Sequence, residues 1–334
     1  MPHLEEPHAT GADECVGTPD RSARTELRDR PLPNLGTEIE HAFPDGQVVG
    51  VTDSTGAALA SAWSTFAMPY DWNPTVASLR KSGTTRFKRV GSFLAQSIRY
   101  GPTGEVHLLW GSGSRSDLEL LTAELGGAVL RSDVATARHV EDLRPRPAFS
   151  VHPNRAIDDY IYDLGEQVSM TGKKFSRRRT YLRALQRSSP SSRIVSLDPT
   201  DAADAAVIRQ VQDEWLRTHG DSTTAAREAD ALERCLTADI LPTSVRGVGL
   251  EIGGTMCGFA LYDVVDGRAA AHFVKAHRDS AITCATWQGM FEDAALAGAS
   301  ELNAGYDGGL PGLRAAKTNL RPACRIESVL LVSV

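Results

Sequence analysis

Residues 245–303 read VRGVGLEIGGTMCGFALYDVVDGRAAAHFVKAHRDSAITCATWQGMFEDAALAGASELN, and the order of elements in them decides the fold. Strands are predicted at Val245–Ile252, Met256–Val264 and Ala269–Lys275, with turns at Gly253–Gly254 and Asp266–Gly267 between them. Connections this short make the three strands an antiparallel meander. A long helix over Ile282–Ala297 and a short strand at Glu301–Asn303 follow. Upstream, Asp198–Pro199 caps a helix carrying Val207, Ile208, Val211, Trp215 and Leu216, which stops near Gly220; a second helix carries Ala229, Leu232 and Leu236. Downstream, Pro311 opens a further helix and Ser328–Val334 closes the chain as a strand. The sequence of helix, helix, three strands, helix, strand, helix, strand specifies an α+β layer with one face of the sheet covered by helices.

The N-terminal half is less regular. Residues 1–36 mix prolines, charges and small polar residues without a period and read as a disordered tail. Strands are predicted at Val48–Val51 and Ala57–Phe66 around a Ser54–Thr55–Gly56 turn, within Phe87–Tyr100, at Val106–Trp110 and at Ala128–Leu130. The aromatic-rich loop Phe66–Pro74 is either a pocket lining or a rim of core aromatics. Gly111–Asp117 leads as a turn, capped by Ser116 or Asp117, into a helix carrying Leu118, Leu121 and Leu125; another helix covers Asp133–Leu143. Arg144–Pro145–Arg146–Pro147 then punctuates the chain, which divides it into units at 37–148 and 149–334.

The 334 residues carry a formal net charge of −6, so any polyanion needs a local basic patch. Five scattered cysteines without a C-x-x-C pair argue against a disulfide framework or a structural zinc site and fit a reducing cytoplasm. The absence of a long apolar run leads to the expectation of a soluble cytoplasmic protein with no membrane contact.

Two stretches carry chemistry. Between Gly172 and Val195 lie Lys173, Lys174, Arg177, Arg178, Arg179, Arg183, Arg187 and Arg193, without one acid. Phe175, Leu182 and Leu185 give this segment one apolar stripe, so it reads as a helix with a wide cationic face suited to phosphates. The second stretch is Asn303-AGYDGGLPGLRAAKTNLR-Pro322, in which Asp307 lies among four glycines and Arg314 and Lys317 share a helix face. By itself it is either a turn with a solvated basic face or a ligand loop.

Asp163–Leu164–Gly165, Thr171–Gly172–Lys173–Lys174–Phe175–Ser176–Arg177–Arg178–Arg179, Glu214–Trp215, His272–Phe273–Val274–Lys275–Ala276 and the Asn303–Pro322 run occur in one order across about residues 155–330. Together they resemble the C-terminal catalytic region of phosphatidylglycerol lysyltransferases and their soluble relatives. The resemblance implies two tandem GNAT-like domains, with 37–148 a diverged first copy. It also implies transfer of an aminoacyl group from charged tRNA, with aminoacyl-tRNA as co-substrate and no other cofactor and no metal. Since no membrane domain precedes the region, the expected acceptor is a small molecule bearing an amine or hydroxyl, as in natural-product assembly.

From residue type and position, Asp307, Arg314, Lys317 and Lys275 are the catalytic candidates: a proton acceptor and cations for an oxyanion or terminal phosphate. Free N–H groups at Gly308 and Gly309 would assist, with Asn303, Tyr306 and Arg321 lining the substrate site. Lys173, Lys174, Arg177, Arg178, Arg179, Arg183 and Arg187 would hold tRNA by its backbone. Two alternatives stand beside this reading. One is an acyl-CoA-dependent N-acyltransferase, weakened because Ala276–Ile282 lacks the glycines of a pyrophosphate loop. The other is a non-catalytic RNA-binding protein.

Overall fold

The computed structural model describes residues 37–50, 52–66, 70–79, 85–100, 104–126, 130–143, 149–219, 223–237 and 245–333. The expected tail at 1–36 and the punctuation at 144–147 lie outside the described residues. In chain order the first elements are α1 (Thr37–Ala42), β1 (Val48–Gly50), α2 (Asp53–Phe66), α3 (Pro74–Leu79), β2 (Thr85–Val90), β3 (Phe93–Tyr100), β4 (Gly104–Gly111), α4 (Arg115–Glu124), β5 (Leu130–Asp133), α5 (Val134–Asp142) and β6 (Phe149–Pro153). Next come β7 (Asp159–Asp163), α6 (Leu164–Ser169), α7 (Ser176–Ser188), β8 (Arg193–Leu197), α8 (Ala202–His219), α9 (Thr223–Leu236), β9 (Arg246–Ile252), β10 (Thr255–Val265) and β11 (Arg268–Ala276). The chain ends with α10 (Ser280–Leu296), β12 (Glu301–Asn303), α11 (Pro311–Asn319), β13 (Cys324–Ile326) and β14 (Ser328–Ser333).

These form two seven-stranded mixed sheets, ordered β1-β2-β3-β4-β5-β14-β6 and β13-β7-β12-β11-β10-β9-β8. Each contains an antiparallel run, then a helix, then a strand parallel to the last of the run: β4 with β5, and β11 with β12. The tandem of GNAT-like layers therefore holds. The meander, the central helix and the short strand Glu301–Asn303 lie where the sequence puts them.

Four local expectations are corrected. Ala57–Phe66 is helix, not strand, because Ala58, Leu59, Ala62 and Trp63 bury at helical spacing in an alanine-rich segment. The supposed Ser54–Gly56 turn is its first turn, with Gly56 N–H bonded to the Thr52 carbonyl. The cap of α4 is Ser114, reciprocally bonded to Asp117, rather than Ser116 or Asp117. Helices cover both faces of each sheet, not one: α10 packs on one side of the second sheet, α8 and α9 on the other. The unbroken burial of Cys257–Asp263 on β10 is the consequence, since a strand covered on both sides does not alternate.

A further correction concerns the last strand. Ser328–Ser333 does not join the second sheet; it enters the first, between β5 and β6. β6 pairs with β14, and β7 pairs with β13, all antiparallel. The segments 149–163 and 324–333 thus run alongside each other as one two-stranded ribbon that crosses from sheet to sheet. The register sets Pro153 opposite Val329 but Asp159 opposite Ile326, so extra residues accumulate on the first strand only. They form a single 3-10 turn at Arg155–Ile157. The sheets consequently do not divide where the proline-rich punctuation does.

The ribbon makes a prediction about cooperativity. Leu331, fully buried in the first core, should cost about 2–5 kcal/mol when cut to Ala. In urea titrations followed by circular dichroism, Leu331→Ala should move one common transition to lower urea. Two separated transitions would show that the sheets melt independently.

Candidate active site at the junction of the sheets

The loop after β12 is held from below by β7 and from the side by the 3-10 turn. Tyr160 exchanges backbone bonds with Ala304 and Gly305, and the Ala156 carbonyl accepts from Gly308 N–H at 2.9 Å. Gly305, at φ 64°, lies so close to Tyr70 that a Cβ would meet its Cδ1 at 2.9 Å; any side chain there would be strained and would displace the Tyr70 ring. Tyr70 belongs to the aromatic loop of the first half, so the described end of that loop packs against the site.

Asp307 is 0 % exposed, yet its carboxylate gathers donors from three elements. Arg314 binds it bidentately, Nε to Oδ2 at 2.9 Å and Nη2 to Oδ1 at 3.1 Å. The Tyr160 hydroxyl donates at 2.6 Å, Gly309 N–H at 2.9 Å and Arg155 Nη1 at 3.4 Å. Burial works against ionisation, but the Arg314 pair, the Tyr160 hydroxyl and the Gly309 amide outweigh it and hold the carboxyl down to about 2. Such a group is a poor proton acceptor at neutral pH. Its geometry ties Arg155 and Arg314 together.

The other candidates divide. Lys317 is buried and spends all three protons on carbonyls, of Ala304 at 2.6 Å, Gly305 at 3.1 Å and Tyr306 at 2.7 Å. Burial lowers it to about 8, although Asp159, Asp307 and Glu228 lie near enough to oppose the shift. Lys275 is buried on β11, paired with Glu228 at 2.6 Å and 3.7 Å from the Trp215 ring centre. The N–H groups of Gly308 and Gly309 are not free: one goes to Ala156, the other to Asp307. Asn303 is also buried and ties the Gly305 amide to Asp159. Tyr306 lies under the Arg131 guanidinium, 4.6 Å from its ring centre.

The floor of the site is a row of buried acids where the sheets meet. Asp159 accepts from Tyr70 N–H at 2.5 Å and from Asn303; burial pushes it up to about 6. Asp71 pairs with Arg131, which also bonds the Ile157 carbonyl at 2.8 Å. Asp158 binds Arg325 and the Ser328 amide. Sequence reasoning missed Arg155, Tyr160 and Arg131. Only Tyr160 left a signal, since it shares a strand face with Tyr162, whose hydroxyl donates to the Lys317 carbonyl on α11.

The cationic segment is sorted by the fold. Lys173, Lys174, Arg177, Arg183 and Arg187 are exposed, Lys174 being paired with Glu166 at 2.7 Å. Arg179 is half-buried and bonds the carbonyls of Met170 and Gly172. Arg178 does not belong to the surface at all: it is 5 % exposed, bonds Gln167 and Gln288, and stacks on Phe291. Gln167 in turn donates to the carbonyls of Leu320 and Arg321 at the end of α11. Arg321 Nε reaches the Lys174 carbonyl at 3.3 Å. The basic helix and the site helix are bolted together.

Among the described residues no helix is long and apolar enough to cross a membrane, and no three metal-ligating side chains cluster. Several solved structures share the fold. A conserved protein of unknown function from Bacteroides thetaiotaomicron superposes with TM-score 0.68 at 19% identity, covering 87% of this chain and 100% of its own. The C-terminal domain of a putative lysylphosphatidylglycerol synthetase from Agrobacterium fabrum gives 0.55 at 14%, covering 85% and 93%. FemX gives 0.50 at 10%, covering 84% and 96%. No curated protein matches the sequence. The family described as phosphatidylglycerol lysyltransferase, C-terminal, matches residues 123–327, and the chain belongs to that family.

Proposed function

We propose that the protein is an aminoacyl-tRNA-dependent aminoacyltransferase acting on the amine or hydroxyl of a small-molecule acceptor, as in natural-product assembly. The observation that carries the reading is the coupling of two features. An exposed cationic face at Arg177, Arg183 and Arg187, continued by Lys173 in the 3-10 turn before it, sits on a helix that Arg178 and Gln167 lock to the helix bearing Arg314. Unit 149–334 would carry the chemistry, while 37–148 supplies Tyr70, Asp71 and Arg131 to its floor. The described cysteines, Cys235, Cys257, Cys284 and Cys324, are free thiols, which suits the cytoplasm where charged tRNA is made.

An aminoacyl ester is already activated, so the work left to the protein is to position the ester and the acceptor and to meet negative charge with fixed cations. Asp307 serves this by holding Arg314 and Arg155 in place; a carboxylate clamped at about 2 fixes guanidinium geometry without competing for protons. The acyl-CoA reading loses ground at α10. Its first amides, on Ala281 and Ile282, are already capped by the Asp279 carboxylate at 2.7 and 3.0 Å, where a pyrophosphate would meet negative charge.

Incubation with a mixture of charged tRNAs should give acceptor-dependent deacylation, measured by loss of acid-precipitable label. Binding of acetyl-CoA by calorimetry with no deacylation of any charged tRNA would exclude the proposal. Binding of tRNA without turnover would leave a non-catalytic RNA-binding protein. Arg177→Glu with Arg183→Glu should weaken tRNA binding and flatten its salt dependence, each lost phosphate contact taking about one from the slope.

Asp307→Asn should destabilise the protein by about 2 kcal/mol at pH 7, because the arginines lose their anion. The sign with pH follows from the depressed carboxyl. Its stabilisation is complete above the ordinary aspartate value of 3.8 and is lost as pH falls through about 2, so the gap between wild type and Asp307→Asn should close over that window. Denaturant titrations across pH 2–7 measure it; a gap independent of pH would show that charge at Asp307 is not what holds the loop.

A further inference from the structure

We infer that Arg155 and Arg314 form an anion-binding site for a phosphodiester at the single-stranded 3′ end of tRNA; this rests on the tRNA-dependent reading above. The two guanidinium groups come from separate elements, the 3-10 turn of the ribbon and the first turns of α11, and converge on one oxygen, Asp307 Oδ2. The carboxylate is fully buried, but the arginine side chains remain 37 % and 41 % exposed. Arg314 uses Nε and Nη2 on Asp307, which leaves Nη1 outside that pair. Arg155 uses Nη1 on Asp307 and Nη2 on the Tyr160 hydroxyl, which leaves Nε.

Arg155 also lies 3.9 Å from Asp158, whose closer partner is Arg325 at 2.9 Å. Asp307 and Asp158 face Arg155, Arg314 and Arg325, with Glu327 close to Asp158 and the Lys317 ammonium behind them bonded to carbonyls near Asp159. Half-exposed guanidinium groups fixed on a buried carboxylate can turn their remaining N–H groups to an anion from solution. The backbone beside them is bare: a Cβ at Gly308 or Gly312 would meet nothing within 4 Å.

The direction of the ligand follows from α11. Arg314 stands near its start, and Arg321, just past its end, bonds the Lys174 carbonyl where the cationic face begins. Nine helical residues span about 13 Å at 1.5 Å each. An RNA stem held on α7 can therefore lay its unpaired end along α11, with a phosphate at the Arg155–Arg314 pair and the esterified ribose beyond it. Arg155 touches the substrate in this arrangement, and Asp307 is the positioning residue for both arginines.

The test uses full-length protein, one uncharged tRNA, and the same tRNA lacking its 3′-terminal CCA, titrated by fluorescence anisotropy. Intact tRNA should bind about tenfold more tightly, as charge-assisted hydrogen bonds to a phosphate allow. Arg155→Gln should erase most of that difference without changing affinity for the shortened tRNA, and Arg155→Lys should restore part of it. A thermal melt of each variant reports folding, and the wild-type comparison needs no variant. Equal wild-type affinity for the two tRNAs, with transfer activity present, would overturn this site and leave tRNA dependence standing. So would Arg155→Gln raising KM for the acceptor alone, which would assign the anion to the acceptor. Binding of neither tRNA would overturn both readings.

Discussion

The ribbon of β6–β7 against β13–β14 is the constraint on which the rest depends. Two strands that each change sheets must be kept in register on both sides, and their unequal lengths force the surplus residues out as one turn. That turn delivers Arg155 to Asp307, the Ala156 carbonyl to Gly308 and the Ile157 carbonyl to Arg131. A register slip by one residue would invert every side chain on a strand and dismantle all three contacts. Fold and site share one geometric cause.

Charge buried at the same junction makes the arrangement specific. Asp71, Asp159, Asp307, Arg131 and Lys317 all lie below a tenth exposed. An ionised group in such surroundings is tolerated only when it is paired, and the pairings run across the two halves. Tyr70 and Asp71 reach Asp159 and Arg131; Asn73 and Thr75 reach Asp263 at 3.2 and 2.5 Å. The first half is therefore part of the site's support, whatever chemistry it has itself retained.

Helix α7 shows why composition and role separate. Its positive charges repel one another, yet one of them, Arg178, is drawn inward by two glutamine carbonyls and an aromatic face. Losing that charge from the surface gains a fixed angle between the cationic helix and α11. The exposed arginines are then presented at a set distance from the Arg155–Arg314 pair.

Hydrophobic periodicity and turn residues by themselves determined the second half: the meander, the central helix, the strand Glu301–Asn303 and the helix opened by Pro311 all lie within a few residues of their predicted bounds. These are local patterns, set by which residues can share a helix face or a strand face. The Asp307 loop and the cationic helix were legible for the same reason, as charge and glycine clustered in short windows. Local pattern failed where alanine-rich Ala57–Phe66 suited either period, and it could not show that both sheet faces are covered. Only tertiary structure decided that Ser328–Ser333 crosses to the first sheet, that Arg178 turns inward, that Gly308 and Gly309 have no free amide, and that Arg155, Arg314 and Tyr160 converge on the Asp307 carboxylate. Each of those depends on a partner between about 100 and 200 residues away or on competition for one hydrogen bond, and neither leaves a mark in the spacing of nearby residues.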